Sequence, residues 1–369
     1  MIFKGGKVFI EDSFKILDFE LENGKFSKIE NKLDHSSIVY LDEYIVIPGL
    51  VDIHTHGIAG FDFGDASSDE MKIMADSYIK NGTTSVLPTL VSLRENEYKN
   101  QIPKILDNYS GNSPFVGINL EGPFINLLKK GAHNENSIQD INIELTEKLW
   151  NLSEGTIRLM TVAPELNGFE ELYNYSAGKF KLSLGHSSCN TSTAKKAYNI
   201  GVNHVTHLFN AMNPLHHREP SIIGVSLENP MIKELICDGI HVDDTVLKAI
   251  FRAYSDEIAM VSDSVAACSL GDGKYSLGGL ELTVKDKKAI LSDGTIAGSA
   301  YTLFDGLKHL VSIGVRLEDV IKSASYIPAK AIGLDDKIGS IKIGANADFI
   351  VCDNELNIVK VYKNGQLVN

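Results

Sequence analysis

Pro48-Gly49-Leu50-Val51-Asp52-Ile53-His54-Thr55-His56-Gly57-Ile58-Ala59-Gly60 is the stretch from which the fold can be read. A short apolar run, Leu50 to Ile53, ends in two histidines one residue apart. Strand side chains alternate between faces, so His54 and His56 point the same way, as a pair of imidazoles suited to a metal ion. A strand end with two surface histidines looks the same, and His-x-His alone does not separate the readings. The surrounding chain has to decide.

Before this stretch, residues 1–47 read as short strands: Phe3 to Ile10, Ile16 to Leu21 and Phe26 to Glu30, broken by Gly5-Gly6 and Asn23-Gly24. Asn-Gly between alternating apolar residues marks a hairpin. After Pro48-Gly49 the rhythm becomes strand, then helix, repeated. Strands are expected at Leu50–His54, Thr84–Leu90, Phe115–Glu121, Ile157–Ala163, Phe180–His186, Asn203–Phe209, Lys233–Asp238 and Ile258–Asp263. Helical patterns follow near Asp69–Lys80, Glu95–Asp107, Leu145, Phe169–Ala177, Ala194–Ile200 and Asp244, while long loops are expected after the third and sixth strands. A hairpin insertion from Tyr275 to Ile296 and helices from Thr302 to about Ile332 complete the series. Eight such repeats imply a closed parallel (β/α)8 barrel of the TIM type, over residues 48–334. From Ile338 strands return, at Ile341, Asp348–Cys352 and Ile358–Tyr362. The two chain ends, 1–47 and 335–369, are therefore expected to pair into one small β-sandwich.

A chain of 369 residues with 43% hydrophobic content has room for such a barrel and a smaller module. A net charge of −13 argues against nucleic-acid or membrane-surface binding, so any phosphate site must be a local positive island. No apolar run approaches the ~20 residues of a membrane span, and Met1-Ile-Phe-Lys-Gly-Gly-Lys lacks a secretory pattern. Cys189, Cys237, Cys268 and Cys352 are widely spaced, with no Cys-x-x-Cys, as buried thiols of a cytoplasmic protein would be. The Gly-rich segment from Leu270 to Tyr275 lacks the lysine–hydroxyl pattern of a nucleotide loop and reads as a rim.

In such barrels chemistry collects at the C-terminal strand ends. Those ends carry His54 and His56 on strand one, Glu121 on three, His186 on five, His207 on six, Asp238 and His241 after seven, and Asp263 on eight. Singly, each has an ordinary explanation as a structural histidine or a helix cap. Together they would converge on one volume with nitrogen and oxygen donors for one or two divalent metals.

This set resembles the amidohydrolase superfamily. Many members bridge two metals with a carboxylated lysine on strand four, but the stretch from Thr156 to Pro164 has no lysine. Glu121 is placed to bridge instead. Glu-Gly-Pro-Phe from Glu121, Lys-Lys-Gly-Ala-His-Asn from Lys129, Gly-His-Ser at His186, Thr-His-Leu-Phe-Asn-Ala-Met at His207, Asp-Gly-Ile-His-Val-Asp from Asp238 and the late Ala-Gly-Ser are similar to those of N-acetylglucosamine-6-phosphate deacetylases. The resemblance implies that Glu121, His186 and His207 hold a principal metal, usually zinc or iron. It places His54 and His56 where some members hold a second metal, and Asp263 as acid/base. It further implies that Ala132, His133, Asn210, Ala211, Arg218, His241, Ile296, Ala297 and Gly298 contact an amino-sugar phosphate. Arg218, one of five arginines, lies in His216-His217-Arg218-Glu219 and is of a residue type suited to phosphate; the resemblance implies that it meets the phosphate from the neighbouring subunit of a homodimer. A different amidohydrolase substrate, or a barrel kept only as a scaffold, are the competing expectations.

Overall fold

The computed structural model describes residues 1–33, 38–109 and 111–368; positions 34–37 and 369 of the expected end module lie outside the described residues. Eight parallel strands succeed one another in chain order: β1 (Leu50–Thr55), β2 (Thr83–Leu90), β3 (Ile118–Glu121), β4 (Ile157–Val162), β5 (Lys181–Leu184), β6 (His204–Val205), β7 (Ile232–Ile236) and β8 (Ile258–Val261). Between β8 and β1 the barrel closes without a regular ladder. Asp263 N–H donates to the His54 carbonyl at 3.0 Å and His56 N–H to the Ser264 carbonyl at 2.8 Å. The Asp52 carboxylate accepts from the Ser262 hydroxyl and spans the remaining gap. Every residue of β1 and β2 is buried, including polar Asp52, His54, Thr55, Thr83, Thr84, Ser85 and Thr89, so neither strand alternates between a buried and an exposed face.

Helices α1 (Ser68–Lys80), α2 (Glu95–Asp107), α3 (Ile143–Leu152), α4 (Phe169–Ser176), α5 (Thr191–Asn199), α6 (Ser221–Glu228), α7 (Asp244–Tyr254) and α8 (Leu303–Ser312) follow the strands. α1 shows how the sequence sets one of them. Ser67 caps it, its Oγ accepting from Glu70 N–H at 3.3 Å while the Glu70 carboxylate accepts from Ser67 N–H at 2.7 Å. Met71, Met74, Ala75, Tyr78 and Ile79 recur at helical spacing and are the buried face. Asn81 ends the helix, and Gly82 (φ 83°) turns the chain into β2.

The chain ends share one eight-stranded sheet. Strands 2–10, 13–22, 25–30, 38–40 and 45–48 come from before the barrel, and 349–352, 358–363 and 366–367 from after it. The join is antiparallel, with Val46 opposite Val351. The first strand bulges between Phe3 and Gly6, and on either side of that irregularity it pairs with different strands, 38–40 and then 45–48. The sheet thereby folds over itself. Phe3 and Phe19 stack across one layer (4.9 Å), Phe349 and Tyr362 across the other (4.5 Å), and Phe3 meets both of the latter edge-on at 5.2 Å. The expected two-layer sandwich is thus made from one continuous sheet.

Several local expectations change. The long loop after the sixth strand contains α6. Its Ser-Ile-Ile-Gly-Val-Ser sequence has poor helix formers and is buried at Ser221, Ile222, Ile223, Val225 and Ser226, so no polar stripe betrays it. Asn203–Phe209 shrinks to His204–Val205 and Phe180–His186 to Lys181–Leu184, both losing the end where the chain turns toward the site, while Phe115–Glu121 keeps that end and begins only at Ile118. Ile341 is not in a strand; it is a loop residue, 2% exposed, filling the end-module core. The insertion is a four-stranded meander, Gly273–Leu277, Leu280–Lys285, Lys288–Leu291 and Ile296–Ser299, rather than one hairpin. The four cysteines are buried and unpaired, and burial pushes the thiols of Cys189, Cys268 and Cys352 up to about 12, as inert core residues.

Candidate active site

The strand ends turn sharply to present their side chains. His186 (φ 47°), His207 (φ 27°) and Asp263 (φ 49°) all adopt left-handed backbone conformations just beyond β5, β6 and β8. Such a conformation costs a non-glycine residue roughly 1–2 kcal/mol, and three of them around one point mark strain held at a functional site. Glu121 closes β3, and His54 and His56 close β1.

Glu121 is the hub. Its Oε1 lies 2.9 Å from His186 Nε2, 2.9 Å from His207 Nε2 and 3.4 Å from His54 Nε2. Its Oε2 lies 3.0 Å from His133 Nε2 and 3.3 Å from His56 Nε2. The two imidazole nitrogens of His186 and His207 are themselves 3.0 Å apart. A triangle of N, N and O atoms with edges near 3 Å is what a cation with bonds of about 2.0–2.2 Å requires of its ligands. Asp263 Oδ1 stands 3.1 Å from His56 Nε2 and 3.6 Å from His54 Nε2. His54 Nε2 is buried with no hydrogen-bond partner among the described residues, an orphan that a cation would satisfy. Burial works to raise the Glu121 pKa, but His133, His54 and His186 together hold the carboxyl well below its usual range. Burial likewise opposes charge on His56, yet Asp263 and Glu121 raise it to about 9. The negative field that draws a proton onto this ring draws a divalent cation equally.

The outer partners sort ligands from donors. His54 Nδ1 faces Glu234 Oε2 at 2.9 Å, His56 Nδ1 faces the Thr89 carbonyl at 3.2 Å and His186 Nδ1 faces the Lys129 carbonyl at 2.7 Å. Each such acceptor holds the proton on Nδ1 and leaves the Nε2 lone pair for a cation. His133 is opposite. The Ser92 backbone N–H donates to its Nδ1 at 3.1 Å, so the neutral ring carries its proton on Nε2 and cannot ligate with it. Burial, only partly countered by Glu121, lowers His133 to about 4. His133 is therefore a neutral hydrogen-bond donor aimed into the site.

A cavity of about 300 Å³ opens over this cluster. His56, Glu121, Ala132, His133, His186, His207, Asn210, Ala211, His241, Asp263, Ile296 and Gly298, all candidates from the sequence, line it. His54 lies beneath the floor, wholly buried, and Ala297 is likewise buried beside its lining neighbours. Gly298 (φ 63°) has no room for a side chain, since a Cβ would fall 2.8 Å from the Asp263 carbonyl. His241 Nδ1 is held by Asp238 Oδ2 at 2.8 Å, and Asp238 also accepts from Ser299 Oγ at 2.9 Å. Burial lowers the His241 pKa, but Asp238 more than reverses this and leaves it raised. Arg218 does not line the cavity. It is exposed, with its Nη1 2.9 Å from His217 Nε2.

Sequence reasoning missed four supporting groups: Glu234, His204, Ser92 and Leu277. Glu234 is wholly buried, and its Oε1 holds His204 Nε2 at 2.9 Å. A signal existed for it, since Ile232-Lys233-Glu234-Leu235-Ile236 places two charges inside a barrel strand where apolar residues are the rule. Leu277, from the insertion, reaches the cavity wall, which nothing in its own sequence announces.

Comparison with known proteins agrees with this arrangement. Residues 45–368 match the model of the amidohydrolase family. The chain is 32% identical to an N-acetylglucosamine-6-phosphate deacetylase of Bacillus subtilis, over 88% of this chain and 84% of that one. It is 33% identical to the Bos taurus enzyme of the same name, over 88% and 83%. A structure of the Thermotoga maritima deacetylase superposes with a TM-score of 0.90 at 33% identity, covering 100% of this chain and 99% of that one. A mutant of the Mycobacterium smegmatis enzyme, in complex with N-acetyl-D-glucosamine-6-phosphate, superposes at 0.94 with 26% identity and coverage of 100% and 99%. The chain belongs to the amidohydrolase family, among its N-acetylglucosamine-6-phosphate deacetylases.

Proposed function

We propose that this chain removes the N-acetyl group of N-acetyl-D-glucosamine 6-phosphate, giving D-glucosamine 6-phosphate and acetate in amino-sugar catabolism. The observation that carries the reading is Glu121 at the centre of the Nε2 atoms of His54, His56, His186 and His207, with Asp263 Oδ1 beside His56 and His54. Glu121, His186 and His207 would hold the principal divalent metal, and His54 and His56 with Asp263 a second. An N/O donor set suits zinc or iron. When bound, such a cation supplies Lewis acidity, lowering the pKa of water from 15.7 to ~7.

The chain's own groups supply the rest. Asp263 accepts a proton from the attacking water as its oxygen bonds to the amide carbon. His133 Nε2–H donates to the carbonyl oxygen as negative charge gathers there. The C–N bond then breaks, and Asp263 returns the proton to the departing nitrogen, which leaves as the amine of the sugar. His241, held by Asp238, and backbone groups at Ala132, Asn210, Ala211 and Ile296 to Gly298 would orient the sugar and its phosphate. Arg218 is exposed and does not line its own cavity, which supports a homodimer in which it reaches the phosphate bound by the other copy. The buried, unpaired thiols support a cytoplasmic setting. No helix among the described residues is long and apolar enough to cross a membrane.

Acetate release from the phosphorylated and the unphosphorylated N-acetyl sugar tests the reading. Rapid release from the phosphorylated sugar is expected; metal-loaded protein that releases acetate from neither would send the search to another amide substrate.

A further inference from the structure

We infer that Glu234 is a positioning residue that controls, through His54, whether the centre holds its second metal ion. The inference rests on reading the cluster as a metal centre. Glu234 is one carboxylate with three donors: His54 Nδ1 (2.9 Å) and the His207 backbone N–H (3.2 Å) on Oε2, and His204 Nε2 (2.9 Å) on Oε1. It thus reaches two ligand-bearing segments at once, by the ring of one and the backbone of the other. It is wholly buried, as is His54, and His204 is 1% exposed, so no water competes for these contacts. Among the described residues His54 Nδ1 has no other hydrogen-bond partner. Its lone pair faces the cavity only while an acceptor sits behind the ring.

The principal ligands do not depend on this carboxylate in the same way. His186 is oriented by the Lys129 carbonyl, and Glu121 by the rings around it. Of the principal ligands Glu234 touches only the backbone N–H of His207, whereas at the position built from His54, His56 and Asp263 it holds a ligand ring directly. It also carries the negative charge that partly neutralises a cation there.

Glu234→Gln isolates the charge. The amide oxygen can take the place of Oε2 and accept from both His54 and His207. The amide nitrogen can then donate to His204 Nε2, because His204 Nδ1 has no partner among the described residues and is free to take the proton. The holoenzyme would be titrated with a chromophoric chelator to obtain two zinc affinities per chain. The weaker should fall about 10–100-fold in Glu234→Gln, the tighter less than about 3-fold, with unchanged melting of the zinc-loaded protein. In a His54→Ala background, where the second position is already lost, Glu234→Gln should change nothing further. One zinc per wild-type chain, unchanged affinities in Glu234→Gln, or an equal loss in the His54→Ala background would each overturn the inference. Should Glu234→Gln fail to fold, nitrogen-15 NMR of the zinc-loaded wild type decides: His54 must carry its proton on Nδ1, and a proton on Nε2 refutes the role. These readouts do not use acetate, so the deacetylase reading can fail separately.

Discussion

Removing the His133 ring tests the electrostatic heart of the proposed reaction. The ring is 2% exposed, and Ser92 N–H fixes its tautomer at 3.1 Å. With a pKa lowered to about 4, only about one ring in a thousand is charged at pH 7. The donor to the carbonyl oxygen is therefore neutral imidazole, and its contribution should be flat from pH 6 to 9. Loss of one such donor in a buried site costs roughly 10²–10³ in kcat, or about 2.7–4 kcal/mol. His133→Ala also leaves Ser92 N–H without its acceptor, at about 1–3 kcal/mol of stability, within the ~5–15 kcal/mol that a folded protein has. Steady-state acetate release should show kcat reduced by that factor with KM changed less than about 5-fold, alongside a melting curve that confirms folding. A His133→Ala enzyme with kcat within about 3-fold of wild type would refute the role. So would a wild-type kcat that falls with rising pH through a group lost in the variant, because the donor would then be imidazolium.

Asp263→Asn should lower kcat by about 10²–10⁴ while the principal metal ion held by Glu121, His186 and His207 remains countable by elemental analysis; normal turnover would remove Asp263 from proton transfer. Arg218→Ala should raise KM for the phosphorylated sugar by tenfold or more and leave the unphosphorylated sugar unchanged, and equal effects would detach Arg218 from the phosphate. The Asp238–His241 pair gives a pH signature. Burial favours neutral Asp238, but His241 lowers it to about 2 from 3.8, so its stabilisation is full above pH ~4 and lost as pH falls toward 2. His241 is raised, so its share is full below ~6.5 and lost as pH climbs through the raised value. Asp238→Asn should thus cost stability most near pH 5, by about 2 kcal/mol, and melting curves at pH 5 and 9 that shift equally would contradict it.

The barrel was legible because its signal is repetitive. Strand and helix alternate eight times, and every ligand-type residue falls at a strand end, from His54 to Asp263. Polar residues at such ends are visible to anyone counting along the chain. What stayed hidden was whatever depends on a side chain's second neighbour. His133 reads as a loop histidine until Ser92, 41 residues away, is seen to fix its tautomer. Glu234 hides inside β7, where the reader looks for apolar spacing. α6 hides because it is buried nearly all round, and periodicity measures the contrast between two faces. The left-handed turns at His186, His207 and Asp263 leave no trace in residue type, since sequence favours glycine there and the site has used the cost to aim its ligands.

The antiparallel join of Val46 to Val351 has a consequence for how the chain is made. Strand 45–48 is buried throughout, yet one of its edges is completed only by a segment some 300 residues later. At roughly 5–20 residues per second of synthesis, that edge waits about 15–60 s while the whole barrel emerges. During this interval Ile45, Val46 and Ile47 form an open apolar edge, the kind that pairs with the wrong chain. The nascent protein is then most exposed to aggregation and to chaperone capture at strand 45–48, and emergence of strand 349–352, rather than completion of the barrel, is the event that ends the hazard.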